Sequence, residues 1–314
     1  MPQTHTKINF IVATRGSLLA STQTGQTVDA IKNENTDCSF DISILRTQGD
    51  NVADKPLVSF GGTGVFVKEL ENALLDNTAD FAVHSLKDVP SKCPEGLILA
   101  CFPKRENVSD LFLTRNNQTI HQVPKNIKIG TGSPRRIIQL RNILPEATFS
   151  DLRGNIDTRF RKLEEGQYDA IILAAAGMRR LGKQIHKNAY LKVTEMLPAI
   201  GQGAIAIECR ADDKRTIEVI RKINHAETEL AVKTERVFMA EIEGGCKFPL
   251  AAYAQVFDNK VELTVLAGEL KSGRFIKATN TTTFEKAFDL AKKMANELLE
   301  ECNKQDIKLY DLGI

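Results

Sequence analysis

The chain has 314 residues, of which 42% are hydrophobic and 26% are charged, a composition typical of a globular protein with two or three domains. Its formal net charge of +2 argues against a protein that binds nucleic acid over its whole surface, but it allows a local basic cleft. No apolar run of about 18 residues predicts a membrane span, and the first residues lack the pattern of a signal peptide. The six cysteines form no CxxC pair and fit neither a metal site nor a disulfide framework, so a reducing, cytoplasmic setting is expected.

Strand-like and helical patterns alternate through the first third of the chain. Residues 8–14 predict a strand, and Ser17 is a candidate N-cap for a helix to about Lys32. Further elements are expected as a strand at 40–45, a helix at 67–77 and a strand at 80–86. This alternation favours βαβ units and a largely parallel sheet.

A second series of similar size follows and predicts a second α/β lobe. Strands are expected at 127–132, 148–153 and 169–175. Ser133 and Pro134 are suited to open a helix over 135–143, and Asn155 to cap a helix that stops at Gly166. From residue 224 the pattern changes to a long helix, three strands and a final helix, which is typical of an α+β domain.

The expected fold class is therefore α/β, with two lobes joined by a hinge and a C-terminal α+β domain that has a three-stranded sheet. Residues 103–110 and 197–203 are the candidate crossings between the lobes. The predicted division is 1–103 with 204–223 for lobe one, 104–203 for lobe two, and 224–314 for the C-terminal domain.

Charged residues cluster where elements meet, at the carboxyl ends of the predicted strands. In open α/β sheets that edge is where ligands bind, and helix N-termini there add donors for anions. Because arginine binds carboxylates through two nitrogens and keeps its charge, the pattern predicts a cleft for a ligand with many carboxylates or phosphates. The alternative is that each cation is a solvated surface charge. The residues are Arg15, Lys87 with Asp88, Arg135, Arg136, Arg153, Arg159, Arg179 and Arg180.

Cys246 is the cysteine with the most unusual surroundings. Two glycines precede it and a proline follows in GGCKFP, which predicts an exposed turn with the thiol at its tip. Among the histidines no HExxH motif or triad occurs. His84 alternates with apolar residues and is expected to be packed inside the protein.

Seven segments together resemble the hydroxymethylbilane synthase, or porphobilinogen deaminase, family in the family's order. They run from residue 13 to 254: ATRGSLLA, FVKELENALL, DFAVHSLKDVP, GTGSPRRIIQL, LRGNIDTRFRKLEEGQYDAIILAAAGMRRLG, LPAIGQGAIAIECR and EGGCKFPLAAYA. The resemblance implies two periplasmic-binding-protein-like lobes and a transferase of haem and tetrapyrrole biosynthesis. That enzyme joins four porphobilinogen molecules head to tail with loss of ammonia and releases a linear hydroxymethylbilane.

The resemblance also implies a dipyrromethane cofactor, attached by a thioether to Cys246, and a catalytic carboxylate, Asp88. It implies no metal. The residues that it assigns to cofactor or substrate carboxylates are Arg15, Ser17, Ser85, Lys87, Thr131, Ser133, Arg135, Arg136, Arg153, Arg159 and Arg180. Ser59 and Thr63 stand where the family usually carries lysines in a loop expected to act as a lid, and Asp157 where it usually has a small or neutral residue.

Three other functions are weighed against this one. A solute-binding protein would share the lobes but form no covalent adduct, and an inactive paralogue would not need Asp88 and Cys246. A cysteine hydrolase would need a histidine partner for its thiol, and none is recognisable. The expected partner is the small molecule porphobilinogen, with no nucleic acid and no membrane, and the expected state is a monomer.

Overall fold

The computed structural model of the chain describes residues 7–45, 67–242 and 248–309. Cys246, Ser59, Thr63 and the expected lid loop lie outside these residues. Two compact units are formed, one from Met1–Arg105 and Ala204–Glu229, the other from Glu106–Gly203 and Leu230–Ile314. The boundaries fall inside or directly after the two predicted crossings, while the division into three domains stays a prediction.

The described elements alternate as the sequence indicates. The strands are β1 (Ile8–Arg15), β2 (Cys38–Leu45), β3 (Phe81–Ser85), β4 (Leu97–Cys101), β5 (Asp110–Thr114), β6 (Lys128–Gly130), β7 (Thr148–Ser150), β8 (Ala170–Ala174), β9 (Ile205–Arg210), β10 (Leu250–Phe257), β11 (Lys260–Gly268) and β12 (Phe275–Thr283). The helices are α1 (Leu18–Glu34), α2 (Lys68–Leu75), α3 (Pro134–Ile143), α4 (Ile156–Glu164), α5 (Ala175–Arg180), α6 (Lys214–Arg221), α7 (Ala226–Glu241) and α8 (Ala287–Lys304). None of the helices within the described ranges is both long and apolar enough to cross a membrane.

The first unit contains a five-stranded sheet in the order β2-β1-β3-β9-β4. β1 runs parallel to β2 and β3, whereas β9 is antiparallel to β3 and β4. Phe10, Phe81 and Ile207 are fully buried in one of its core clusters. Helix α1 begins where the Ser17 side chain accepts a hydrogen bond from the Ala20 amide, so the predicted N-cap is confirmed.

The second unit repeats this strand order over four strands, β7-β6-β8-β5. β6 is parallel to β7 and β8, and β5 is antiparallel to β8. In each sheet, the strand that follows a crossing of the chain is antiparallel to its neighbour: β9 to β3 in the first unit and β5 to β8 in the second. The expectation of largely parallel sheets is wrong for these positions, and both sheets are mixed.

The C-terminal part of the second unit is a three-stranded antiparallel sheet, β10-β11-β12, with α8 packed on it. Its core is apolar, with Phe238, Leu263 and Ala291 fully buried. A second cluster joins Ile138 and Leu197 to Ala251 and Leu266. The predicted fold class, α/β with an added α+β sheet, is confirmed.

Candidate functional site

The carboxyl ends of β1 and β3 lie side by side in the first unit. The two strands are parallel, with Val12 opposite Phe81 and Ala13 opposite Ala82. The residues that follow them therefore share one edge of the sheet. This arrangement brings together five predicted site residues: Arg15, Ser17, Ser85, Lys87 and Asp88, all half-buried.

Asp88 ends a short 3-10 helix, Leu86–Asp88, directly after β3. The Leu86 amide donates to the Ala204 carbonyl at 3.0 Å, and the Ser85 hydroxyl donates to Oε1 of Gln23 on α1 at 3.0 Å. The segment that carries Asp88 is thus held by Ala204, the residue before β9, and by α1, while Asp88 itself remains partly exposed.

His84, one residue before this segment, is buried as expected. Its Nε2 lies 3.0 Å from Oε2 of the fully buried Glu208 on β9. The two side chains share a face because Ala82 is the direct partner of Glu208 in the antiparallel pair. Glu71 on α2 is buried near them, and this burial, together with the charge of Glu208, raises the pKa of Glu71. The pair holds β3 to β9.

In the second unit the carboxyl edge of β6, β7 and β8 is built on the same principle. Thr131 follows β6 and is buried, and its amide donates to the Ser150 carbonyl at 2.9 Å. Ser133 stands at the N-cap position of α3 but its side chain makes no capping bond. Its amide instead donates to the Thr131 hydroxyl at 3.3 Å. The Thr131 hydroxyl therefore satisfies the Ser133 amide within this loop.

Arg135 and Arg136 are both buried. Arg136 donates to Asp110 Oδ1 through Nη2 at 2.7 Å and Nε at 3.2 Å, and to the Ile172 carbonyl through Nη1 at 2.9 Å. Arg135 Nη1 lies 2.8 Å from Asp110 Oδ2 and donates to the Leu197 carbonyl at 2.6 Å. Gln202 adds a bond to Asp110 Oδ1 at 3.1 Å.

Asp110 is fully buried at the centre of this cluster. Burial alone would raise the pKa of its carboxyl, but the guanidinium groups of Arg135 and Arg136 outweigh burial and hold the pKa well below its usual range. Burial also lowers the pKa of Arg135, yet arginine stays charged in proteins. The cluster therefore contains two positive charges and one negative charge.

Arg153 and Arg159 lie beyond β7, which ends at Ser150 and is three residues shorter than predicted. Nε of Arg153 lies 2.7 Å from Asp151 Oδ2, and Nε of Arg159 donates to the Gly154 carbonyl at 2.8 Å. A Cβ on Gly132 would collide with the Asp151 carboxylate, so this glycine permits the close approach. Both arginines are half-buried at the sheet edge.

Arg179 and Arg180 are the last two residues of α5, the helix that directly follows β8. Arg179 is exposed and its Nε is 2.8 Å from Glu106 Oε1. Nη2 of Arg180 donates to the Gly203 carbonyl at 2.7 Å, and burial lowers the pKa of Arg180. Asp157, the unusual residue of this region, pairs with Lys183 at 2.7 Å.

Two acids that pair with arginines of the site, Asp110 and Asp151, are not among the site residues predicted from the sequence. Asp110 opens the apolar run DLFLT and Asp151 stands two residues before Arg153. An acid at the start of a buried strand is a signal for a buried cation nearby, because unpaired charges are rarely buried. That signal identifies Asp110 but does not indicate its partners, which are 25 and 26 residues away in sequence.

By fold, the chain is a mixed α/β protein with two sheets of the same strand order and an added antiparallel sheet. Residues 10–218 match the family model of the porphobilinogen deaminase dipyrromethane cofactor-binding domain. Residues 229–300 match that of the porphobilinogen deaminase C-terminal domain. The chain belongs to the porphobilinogen deaminase family.

Full-length relatives agree with this assignment. The chain is 43% identical to the porphobilinogen deaminase of Brevibacillus brevis over 92% of this chain and 94% of the relative. It is 40% identical to that of Syntrophobacter fumaroxidans over 92% and 94%, and 39% identical to that of Desulforamulus reducens over 98% and 99%. Among solved structures, a periplasmic binding protein of Salmonella typhimurium with high arginine specificity aligns at 13% identity and a TM-score of 0.40, over 69% of this chain and 91% of that chain.

Proposed function

We propose that this protein is a hydroxymethylbilane synthase. It condenses four porphobilinogen molecules head to tail, forms one carbon–carbon bond and releases one ammonia at each step, and then uses water to release the linear tetrapyrrole. The observation that carries the proposal is the pair of family matches over residues 10–218 and 229–300. It agrees with the cationic residues at the carboxyl edge of each lobe's sheet.

The residues fit a cofactor rich in carboxylates. Each pyrrole ring derived from porphobilinogen carries an acetate and a propionate, so a dipyrromethane brings four negative charges. The cluster of Arg135, Arg136 and Asp110 keeps one positive charge more than its own acid neutralises, and Arg153 stands at the same sheet edge. Because arginine forms strong, directed bonds to carboxylates, Arg135 and Arg153 would hold the cofactor. When bound, the dipyrromethane supplies the carbon to which the first substrate is joined.

Cys246 is the proposed attachment residue, through a thioether. It lies outside the described residues, and support for it comes from the GGCKFP sequence and from the family match. A thioether bond needs a thiol that solvent and cofactor can reach. The described cysteines at positions 38, 101, 209 and 302 are buried, and only Cys93 is partly exposed, so they compete poorly for this role.

Asp88 is the proposed catalytic carboxylate. Loss of ammonia from porphobilinogen leaves a cationic azafulvene, and a carboxylate beside the pyrrole NH groups stabilises that charge. The same group can deliver a proton to the leaving amine and later accept the proton that the attacking pyrrole carbon loses after the new carbon–carbon bond has formed. The half-buried position of Asp88 at the end of a short, anchored 3-10 helix supports this role, because its backbone is held in place while the residue stays partly exposed. Arg15, Ser17, Ser85 and Lys87 share its sheet edge and would orient substrate carboxylates.

Product stoichiometry tests the proposed reaction. Purified protein is incubated with porphobilinogen, and ammonia and the linear tetrapyrrole are quantified in the same sample. We expect four ammonia molecules for each tetrapyrrole and continued turnover. Binding of porphobilinogen without ammonia release would instead identify a solute-binding protein.

A monomer in the cytoplasm is part of the proposal. The spacing of the cysteines supports a reducing compartment. Size-exclusion chromatography with light scattering gives the mass in solution, and a dimer that persists at nanomolar concentration would contradict the monomer.

A further inference from the structure

In the buried cluster around Asp110, the two adjacent arginines use different numbers of their guanidinium nitrogens for contacts within the protein. Arg136 uses all three nitrogens of its guanidinium within the protein, two on Asp110 and one on the Ile172 carbonyl. Arg135 uses only Nη1, which meets Asp110 Oδ2 and the Leu197 carbonyl. Within the described ranges, Nε and Nη2 of Arg135 bond to no protein acceptor. Nε and Nη2 of Arg135 are thus available as two parallel donors for a bidentate hydrogen-bonded pair with a carboxylate.

The charge balance indicates an anionic partner. The side chains of Arg135 and Arg136 are 7% and 10% exposed, and that of Asp110 is fully buried. Two guanidinium groups and one carboxylate leave one positive charge in a place with little water. Buried charges are normally paired, because desolvation of an unpaired ion is costly. A carboxylate at Nε and Nη2 of Arg135 would complete the pairing.

The contacts that hold Asp110 in place also fix the orientation of the Arg135 side chain. Asp110 is the first residue of β5 and pairs with Ala174 of β8, so its backbone belongs to the sheet. Gln202 donates to Asp110 Oδ1 at 3.1 Å and to the Val108 carbonyl at 2.7 Å. Asp110 Oδ1 therefore accepts from two nitrogens of Arg136, while Oδ2 forms an ion pair with Nη1 of Arg135 at 2.8 Å.

We propose that Asp110 is a positioning residue of the cofactor site: with Arg136 it forms a fixed scaffold that presents Arg135 to a carboxylate of the dipyrromethane. Arg136 contacts Asp110 and backbone, not the ligand. Asp110 contacts neither substrate nor cofactor and acts through Arg135. The inference rests on the proposed function, because it takes the pyrrole carboxylates as the ligand.

Cofactor loading of Asp110→Asn tests the proposal. The asparagine keeps the shape and the bond from Gln202 but removes the charge that holds both arginines. Apo protein is produced in cells that make no porphobilinogen and is then given porphobilinogen, and intact mass follows the added dipyrrole over time. We expect loading at least about tenfold slower than in wild type, on the scale of one charge-assisted hydrogen bond.

Glu208→Gln is the matched control. Glu208 is likewise a fully buried acid in an ion pair, with His84, but it belongs to the first unit. Both variants should lower the melting temperature, and only Asp110→Asn should slow loading. Equal loading rates for Asp110→Asn and wild type would overturn the proposal, as would equal slowing by Glu208→Gln.

If Asp110→Asn fails to fold, Arg136→Lys tests the same scaffold. Lysine keeps the charge but has one donor nitrogen in place of a planar fork. Slow loading is expected although Arg136 has no ligand contact, and unchanged loading would overturn the proposal. Failure of wild-type protein to load or to turn over porphobilinogen would be a different result, because it would contradict the proposed function itself.

Discussion

At the scale of single residues, two aspartates show how position decides chemistry. Asp110 is fully buried and held charged by Arg135 and Arg136, so it cannot exchange protons in the neutral range. Asp88 is half-buried at a sheet edge, where a substrate can reach it. A carboxylate that relays protons needs access to the reacting atoms, and of the two only Asp88 has it.

Asp88→Asn should retain the fold and lose the reaction. The amide has nearly the same size but no charge to stabilise the azafulvene, so we expect kcat to fall by roughly two orders of magnitude or more. Steady-state ammonia release measures kcat, and the melting temperature monitors the fold. Asp76→Asn, an exposed acid at the end of α2, should leave kcat unchanged. An Asp88→Asn enzyme within about twofold of wild type would refute the catalytic assignment.

Arg153 and Arg15 should differ in the step that they affect. Arg153→Ala should block cofactor assembly and leave apo protein, because Arg153 lies in the second unit beside Asp151 and Gly132. Arg15→Ala should slow elongation and let enzyme–intermediate complexes accumulate. Native mass spectrometry with limiting porphobilinogen distinguishes these species. Arg161→Ala, an exposed arginine of α4, should match wild type, and identical species from Arg15→Ala and Arg153→Ala would rule out the division.

The sequence indicated the identity of most candidate residues but not their contacts. Arg135 and Arg136 could be recognised as cations beside a helix start. Their burial could not, because it depends on Asp110 and Gln202, which approach from distant parts of the chain. The N-cap role of Ser17 was predictable because it needs only a side chain and an amide three residues away. Ser133 has the same residue type, but Thr131 occupies its amide and its side chain caps nothing.

At the scale of elements, direction was harder to predict than position. Helix α1 and strands β1, β3 and β8 agree with their predicted ranges within about two residues, the usual uncertainty of element ends. β4, β5 and α6 were not predicted. The antiparallel directions of β5 and β9 follow from where the chain enters each sheet, and no local pattern encodes that entry. β7 ends at Ser150, and the next residue, Asp151, pairs with Arg153.

At Gly203, in the return crossing, the backbone lies very close to the Glu106 carbonyl, and substitution of this glycine measures how much that close packing contributes to stability. Gly203 has φ of +86°, and a Cβ there would lie 2.5 Å from the Glu106 carbonyl oxygen, a backbone atom. Gly182 has φ of +64° but open space around the Cβ position. Alanine should cost about 1 kcal/mol at Gly182 from backbone strain alone. At Gly203 it should cost about 2 kcal/mol more, because the carbonyl must shift.

Urea unfolding of Gly182→Ala and Gly203→Ala measures the loss in the free energy of unfolding for each variant, and hence the difference between them. Both substitutions remove the same entropy from the unfolded chain, so that effect cancels between them. Equal losses in the free energy of unfolding would mean that the approach of Gly203 to Glu106 is loose. A larger loss at Gly182 would contradict the described backbone.

At the scale of the whole molecule, the alternation of strands and helices predicted two α/β lobes and a C-terminal sheet, and the structure has all three. The boundaries of the two compact units lie at residues 105–106 and 203–204. The C-terminal sheet belongs to the second unit, where the cluster of Ile138, Leu197, Ala251 and Leu266 joins it to α3. Such packing depends on side chains far apart in sequence, so the sequence pattern could not indicate it, and the division into three domains stays a prediction.

The covalent cofactor at Cys246 is the central claim, and intact mass of the purified protein under denaturing conditions tests it most directly. A thioether survives denaturation, so active protein should show the mass of the chain plus one dipyrrole, and peptide mapping should find that mass on Cys246. Cys246→Ser should lack it and be inactive, whereas Cys93→Ser, which removes a partly exposed thiol, should keep it. Fully active protein with the mass of the unmodified chain, or full activity of Cys246→Ser, would contradict the account.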